Sequence, residues 1–209
     1  MRNHLIAAAA LALLNTPTAQ AQMPGSDSGG GPSFKLGKDS HLWVEGDSTL
    51  HKFRLDSKDF KVQVSVAVAD ADAGPRDLLS PGALATLSVQ VPVRELASGD
   101  SGLDDNMRGT LKADHFAEIR FQMDSYRSTP GPDTAHLTAR IKGRLQIAGV
   151  EKPVELDALV AWDGTGLHVT GATQLLMSTF GVKPPTFMLV MTVSDQVTVH
   201  FDLHLEATR

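Results

Sequence analysis

The sequence predicts an all-β protein, an antiparallel barrel of about eight strands with one short helix near the barrel mouth. Most of the chain after position 34 alternates apolar and polar residues, which is the pattern of a strand with one buried and one solvent-exposed face. Turns between the alternating segments are short, and several segments exceed the usual length of about five or six residues. Long strands joined by short turns favour a closed barrel over a two-sheet sandwich, the other architecture that this pattern allows.

The N-terminal segment is not expected to belong to the barrel. Arg2, the apolar run LIAAAALALL and Ala19-Gln20-Ala21 follow the order of a secretion signal. We therefore expect residues 1–21 to be removed by cleavage after Ala21 and the mature protein to be periplasmic. Residues 22–33 are rich in Gly, Ser and Pro and are predicted to be flexible, which leaves 34–209 for the barrel domain.

Alternation assigns an inward apolar row to each predicted strand. In QVTVHFDLHLEA, valine, phenylalanine and leucine occupy one parity, while histidines and acids occupy the other. Pro92 lies on the outward parity and cannot donate to a ladder, so its segment is predicted to be a sheet edge or to carry a bulge. The inward residues that we expect to contact a ligand include Phe53, Phe121, Met123, Leu145, Ile147, Trp162 and Met177.

One segment has a helical period instead. Leu103, Met107 and Leu111 follow one another at steps of four and form a stripe along one helix face. Asp100 or Ser101 can cap the first turn. A helix this short with an apolar face must pack on something, and we expect it to lie across the barrel mouth.

Two polar side chains are candidates for contact with a ligand's polar head. His51 shares the parity of Phe53, so it is predicted to point inward and to be poorly exposed. A hydrogen bond to Ser48 or to a backbone carbonyl is the first interpretation of His51, and contact with a ligand is the second. Arg108 follows the helix stripe, where it either faces solvent or attracts an acidic head group.

Composition and motifs argue against several function classes. Lys and Arg total 19 against 24 Asp and Glu, so a nucleic-acid-binding surface is not expected. The chain has no cysteine, which removes disulfides and thiol catalysis. No nucleophile elbow, zincin motif or phosphate loop occurs, so no catalytic residue is proposed.

His200 and His204 share a strand face but lie about 13 Å apart. A metal site would have to recruit His168 or His136, and none is expected.

Four motifs in order resemble the landmarks of the YceI-like family of bacterial periplasmic proteins: GDSTLHKF, LDDNMRGTLKADHFAEIRF, GRLQIAGVEKPVELD and MSTFGVKPPTFMLVMTVSDQVTVHFDL. The resemblance spans residues 34–206. It implies a lipocalin-like barrel whose apolar tunnel binds an extended isoprenoid or other lipid chain. Methionine side chains that repack around flexible ligands suit such a tunnel. The helix and the loop from Phe180 to Phe187 are candidate gates.

We therefore expect carriage or sequestration of an amphiphilic lipid, such as a polyisoprenoid or an isoprenoid quinone, without a chemical step and with no cofactor besides the bound lipid. The alternative is a structural or partner-binding module with a filled core. A homodimer and a transient partner in the inner membrane are both compatible with the sequence. The expected ligand-binding residues are His51, Phe53, Met107, Arg108, Leu111, Phe121, Met123, Leu145, Ile147, Trp162, Met177, Phe180, Phe187 and Met191.

Overall fold

The computed structural model describes residues 33–49, 51–67, 80, 83–131, 136–162, 166–184, 186–187 and 191–208. The predicted secretion signal and most of the segment that follows it lie outside this part of the chain. Two 3₁₀ turns, Val93–Glu95 and Met177–Phe180, accompany the main elements. These elements are β1 (Ser33–Leu36), β2 (His41–Ser48), β3 (Lys52–Ser57), β4 (Lys61–Val66), β5 (Leu84–Pro92), α1 (Ser101–Thr110), β6 (Glu118–Pro130), β7 (His136–Ile147), β8 (Val150–Trp162), β9 (Gly166–Leu176), β10 (Thr186–Phe187) and β11 (Met191–Thr208).

The strands form one antiparallel sheet in the order β3-β2-β11-β9-β8-β7-β6-β5-β4. The last strand, β11, is central, because it pairs with β9 along one edge and with β2 and then β1 along the other. The first two residues of β11 also pair with the short strand β10. The sheet thus pairs the first and the last of the described strands.

The curled sheet closes through contacts other than a strand pair. β4, at one end of the order, lies beside β1. At the other end, Asp56 of β3 exchanges two backbone hydrogen bonds with Ala97, at N–O distances of 2.9 and 3.0 Å. The all-β barrel architecture with one short helix is confirmed. The expected number of strands is too low, because alternation shows neither the hairpin break within residues 46–55 nor the short strands β1 and β10.

The interpretation of Pro92 is corrected in part. Strand β5 is not an edge strand, since β4 flanks it on one side and β6 on the other, but it does carry a bulge, because Ser65 pairs with Thr86 while Val66 pairs with Leu84. Pro92 is its last residue and pairs with Glu118 of β6, while the pairing with β4 ends at Gln90. A missing donor at Pro92 therefore leaves the β4–β5 ladder intact. Strand β5 therefore offers no free edge to a partner protein.

The helix forms where the period of four predicted it. Asp100 is the N-cap, and its carboxylate accepts from the backbone N–H groups of Gly102 and Leu103 at 2.8 and 3.0 Å. Met107 is buried and packs with Leu96, Val91 and Leu203 beneath the helix. None of the helices among the described residues is long and apolar enough to cross a bilayer.

Charged residues cover the outer face of the barrel. On neighbouring strands β7 and β8, the Arg140 guanidinium donates to Asp157, with Nε 2.8 Å from Oδ1. This hydrogen bond lowers the pKa of the Asp157 carboxyl and raises the pKa of Arg140. Both groups are exposed, so the pair contributes little to stability and marks the solvated side of the wall.

Candidate functional site: an apolar cavity inside the barrel

The inward rows of the strands enclose a cavity rather than meeting across a filled centre. The space open to the centre of a water molecule is about 300 Å³. Its lining side chains come from α1, from the turn at Met177, from each of the strands β2 to β9 and from β11. Except for three hydroxyl groups, all of these side chains are apolar, and none carries a charge. An apolar chain is the ligand that such a surface stabilises.

Glycines opposite phenylalanines keep part of this space open. Gly46 pairs with Phe53 across β2 and β3, and Gly171 pairs with Phe201 across β9 and β11. A Cβ atom on Gly46 would lie 2.4 Å from Cζ of Phe53. The equivalent atom on Gly171 would lie 2.3 Å from Cζ of Phe201. Each ring therefore lies over a bare stretch of backbone and occupies less of the cavity.

The helix α1 covers one part of the cavity. Leu103, Met107 and Leu111 all line it, as the stripe at steps of four predicts. The buried Asp104 carboxylate anchors the start of the helix by accepting from the backbone N–H and the hydroxyl of Ser98, both at 2.7 Å. The helix is thus held at its first turn, where the carboxylates of Asp100 and Asp104 satisfy backbone donors.

The 3₁₀ turn that follows β9 lies next to an exposed apolar residue of the cavity lining. Leu176 lines the cavity although 48% of its surface is exposed. Met177 and the buried Phe180 line the same region. Asp195 of β11 holds the turn by accepting from the backbone N–H of Ser178 at 2.8 Å and from its hydroxyl at 2.5 Å. An anchored turn next to an exposed apolar residue has the features of an entrance.

Polar groups in the lining are few. Thr110, Tyr126 and Thr173 contribute hydroxyls. The Tyr126 hydroxyl donates to the carbonyl of Ser80 at 2.6 Å and accepts from the backbone N–H of Leu84 at 3.0 Å. Tyr126 therefore ties the wall to the segment before β5, and its hydroxyl is already hydrogen-bonded.

Eight of the expected contact residues line the cavity, and six do not or are not described. Met123 and Trp162 pack in the core without lining the cavity. The side chains of Phe187 and Met191 lie outside the described part of the chain. The eight that line it are Phe53, Met107, Leu111, Phe121, Leu145, Ile147, Met177 and Phe180.

The prediction that His51 points inward and is poorly exposed is wrong. The stretch from Gly46 to Leu55 is a hairpin and not one strand, because β2 ends at Ser48 and β3 begins at Lys52. His51 belongs to the turn, where its carbonyl accepts from the Ser48 hydroxyl at 2.7 Å. Its side chain is exposed and does not line the cavity. Parity places a side chain only inside a continuous strand, and the turn ends that continuity.

Arg108 also lies outside the cavity lining. Its guanidinium donates to Asp105 at 3.0 Å and to the carbonyl of Arg94 at 3.4 Å. These partners hold the side chain against the segment that leads into α1. The interpretation of Arg108 as a direct contact for an acidic head group is therefore not supported by its position.

Alternation misses Tyr126 as a lining residue. Asp124 is an extra residue in β6, because Met123 pairs with Gly143 while Ser125 pairs with Lys142. Such a bulge reverses the facing of every later side chain in the strand. Tyr126 consequently points inward although its parity is opposite to that of Phe121. No local sequence signal marks this bulge.

One group of side chains outside the cavity has the composition of a metal site. The potential ligand atoms of His168, Asp202 and His204 all lie within 4.8 Å of one another. These residues stand on the outer faces of β9 and β11. They are not part of the apolar cavity.

Comparisons with known proteins agree with this architecture. The family model of the YceI-like domain matches residues 41–205. A comparison with curated protein sequences gives no match. The crystal structure of Burkholderia cenocepacia BcnA, 19% identical, is similar over 78% of this chain and 94% of its own, with a TM-score of 0.62.

Two further solved structures are similar. A polyisoprenoid-binding domain from Saccharophagus degradans, implicated in plant cell wall breakdown, is 11% identical over 85% of this chain and 98% of its own, with a TM-score of 0.60. The Campylobacter jejuni YCEI protein is 18% identical over 73% of this chain and 83% of its own, with a TM-score of 0.52. At these identities the likeness shows a shared fold.

Proposed function

This chain belongs to the YceI-like family, and from that membership we propose that its barrel carries the hydrocarbon chain of an amphiphilic lipid, a polyisoprenoid or an isoprenoid quinone. The observation that carries the proposal is the uncharged, almost wholly apolar lining of the cavity. The similar domain from Saccharophagus degradans, which is described as polyisoprenoid-binding, supports the ligand class. Binding requires no chemical step.

Burial of the chain supplies enough free energy for binding. Each methylene removed from water contributes about 0.8 kcal/mol, so about ten buried methylenes contribute about 8 kcal/mol before ordering costs. That free energy corresponds to a dissociation constant of about 1 μM. Flexible methionines such as Met107 and Met177 adapt the lining to the chain at little cost.

We propose that the chain enters beside Leu176 and the 3₁₀ turn at Met177–Phe180, because Leu176 is both exposed and part of the lining. The polar head then stays near this turn, since no charged side chain lines the cavity within the part of the chain that the structure describes. The predicted secretion signal would place the carrier in the periplasm, where lipids must cross water between two membranes. A membrane partner and a homodimer stay predictions.

Native mass spectrometry of the mature protein, purified without detergent, tests this proposal. We expect a co-purifying lipid mass, or uptake of one equivalent of a polyprenol from vesicles that contain it. Leu145→Lys places a charge in the cavity and should abolish lipid retention. Gln146→Lys is the matched control, because the next residue of β7 points to the outer face and should retain the lipid.

A folded variant keeps the outcome interpretable. Circular dichroism shows whether Leu145→Lys still folds, and Val89→Phe fills the cavity without adding charge. Both should reduce lipid uptake. A wild-type protein that stays lipid-free after incubation with the vesicles, or Leu145→Lys and Val89→Phe proteins that fold and bind as the wild type does, would contradict the proposal.

A further inference from the structure

Three outward side chains meet where β9 and β11 pair. His204 lies directly opposite His168 in the ladder, and Asp202 precedes His204 by two residues on the same face. Their neighbours Leu167, Leu203 and Leu205 are buried on the inner side of the wall. The alternation of the two strands therefore collects two imidazoles and one carboxylate at one point of the outer surface.

The potential ligand atoms of this group lie close enough together to contact one metal ion. Nε2 of His204 lies 3.6 Å from Oδ1 of Asp202, and Nε2 of His168 lies 2.7 Å from the same oxygen. Two ligands about 2.1 Å from a tetrahedral Zn²⁺ ion lie about 3.4 Å from each other. The His168–Asp202 hydrogen bond has to lengthen from 2.7 Å to about 3.4 Å as a metal ion replaces its proton. The two rings stack at a centroid distance of 4.4 Å, so they have to tilt out of the stack for one ion to lie in both ring planes.

The backbone of His204 is fixed before any ion binds. Its N–H donates to the hydroxyl of the buried Ser40 at 2.9 Å, and its carbonyl accepts from the N–H of Gly37 at 2.7 Å. On the edge of β11 that faces away from β9, the corner between β1 and β2 thus takes the place of a strand partner at His204. A Cβ atom on Gly37 would lie 3.1 Å from the carbonyl oxygen of His204, so the close approach depends on glycine. A ligand on a rigid element loses little freedom when it binds a metal.

The neighbouring histidines His41 and His200 have contacts outside this group. His41 pairs with Asp202 across β2, but its Nδ1 lies 3.2 Å from the carbonyl of Asp39 and its ring stacks on Trp43. His200 also stacks on Trp43, with a centroid distance of 4.9 Å. The triad of His168, Asp202 and His204 is therefore separate from the aromatic stack around Trp43.

We propose that His168, Asp202 and His204 bind a divalent transition-metal cation, Zn²⁺ or Cu²⁺, on the outer wall of the barrel. Two imidazoles and one carboxylate suit these borderline cations, whereas Ca²⁺ and Mg²⁺ prefer ligand sets made of oxygen atoms. The side chains of the three residues are between 30% and 37% exposed, so water reaches the remaining coordination positions. The site lies outside the lipid cavity and does not depend on lipid binding.

Isothermal titration of the untagged mature protein with Zn²⁺ alone tests this site. We expect one saturable equivalent, with affinity lowered at least about tenfold in His168→Ala, Asp202→Asn and His204→Ala. His200→Ala is the matched control, because it removes another half-buried imidazole from the same face of β11 and should leave the affinity unchanged. Circular dichroism verifies that each variant folds.

Electron paramagnetic resonance of the Cu²⁺-loaded protein gives a second readout. The spectrum should show coupling to two nitrogen ligands in the wild type and in His200→Ala, and to one nitrogen in His204→Ala. Absence of a saturable equivalent in the wild type would overturn the proposal. Equal affinity in folded His204→Ala and wild type, or a loss caused by His200→Ala alone, would overturn it too.

Discussion

A glycine opposite a phenylalanine keeps space open inside the barrel wall at Gly46 and at Gly171. In both places the ring occupies the volume that a side chain on the glycine would need. The two sites differ in what else is near. A Cβ atom on Gly171 would also lie 2.6 Å from the carbonyl oxygen of Asp157, while the three nearest atoms to one on Gly46 all belong to the Phe53 ring. Gly46 is therefore the better position at which to alter the cavity alone.

Gly46→Ala should turn the Phe53 ring into the cavity. We expect the free energy of unfolding to fall by about 1 to 3 kcal/mol, as in other overpacked cores, and the bound lipid to decrease. Urea unfolding and native mass spectrometry measure the two effects. Gly109→Ala is the control, since nothing lies within 4 Å of its new methyl group and alanine favours the helix by up to about 1 kcal/mol. Unchanged stability and lipid load in Gly46→Ala would contradict this account of the wall.

The helix α1 is the element that couples local stability to the cavity. Its apolar stripe lines the cavity, and its first turn is held by the Asp100 cap and by the Asp104 carboxylate, which accepts from Ser98. A helix of ten residues is marginal without tertiary contacts. Loss of a cap should therefore loosen the cover of the cavity before it unfolds the barrel.

Asp100→Ala should lower the free energy of unfolding by about 1 kcal/mol and speed hydrogen exchange in residues 101–110. Lipid should also dissociate faster, because the helix opens more often. Asp100→Asn keeps an equivalent cap and is the control. Hydrogen exchange followed by mass spectrometry makes the comparison. Equal exchange in the alanine and asparagine variants would show that the cap does not limit opening.

At the scale of the whole molecule, a ligand inside the barrel should stabilise the entire sheet. Lipid at a hundred times its dissociation constant adds about 2.7 kcal/mol to the free energy of unfolding. For a domain of this size we expect Tm to rise by about 5 to 10 °C. Thermal melts of delipidated protein with and without added polyprenol measure the rise, and Leu145→Lys should show none. An identical Tm in both wild-type samples would argue against an internal ligand.

The sequence determines much of the wall by itself, because the facing of side chains along a strand is a local property. Alternation identifies Phe121, Leu145 and Ile147 as lining residues, and a period of four places Met107 and Leu111 on the helix face. Residue type and position likewise narrow the helix cap to Asp100 or Ser101, and the structure shows that Asp100 is the cap. The resemblance of the four motifs to the YceI-like family is confirmed by the family match.

Only the tertiary structure decides where the chain interrupts these local periods and which strands become neighbours. A turn removes His51 from the interior, and a bulge at Asp124 brings Tyr126 into it. Counting along β11 separates His200 from His204, yet pairing with β9 places His168 beside His204. Register and bulges come from contacts between residues far apart in the chain, so a period measured within one segment does not contain them.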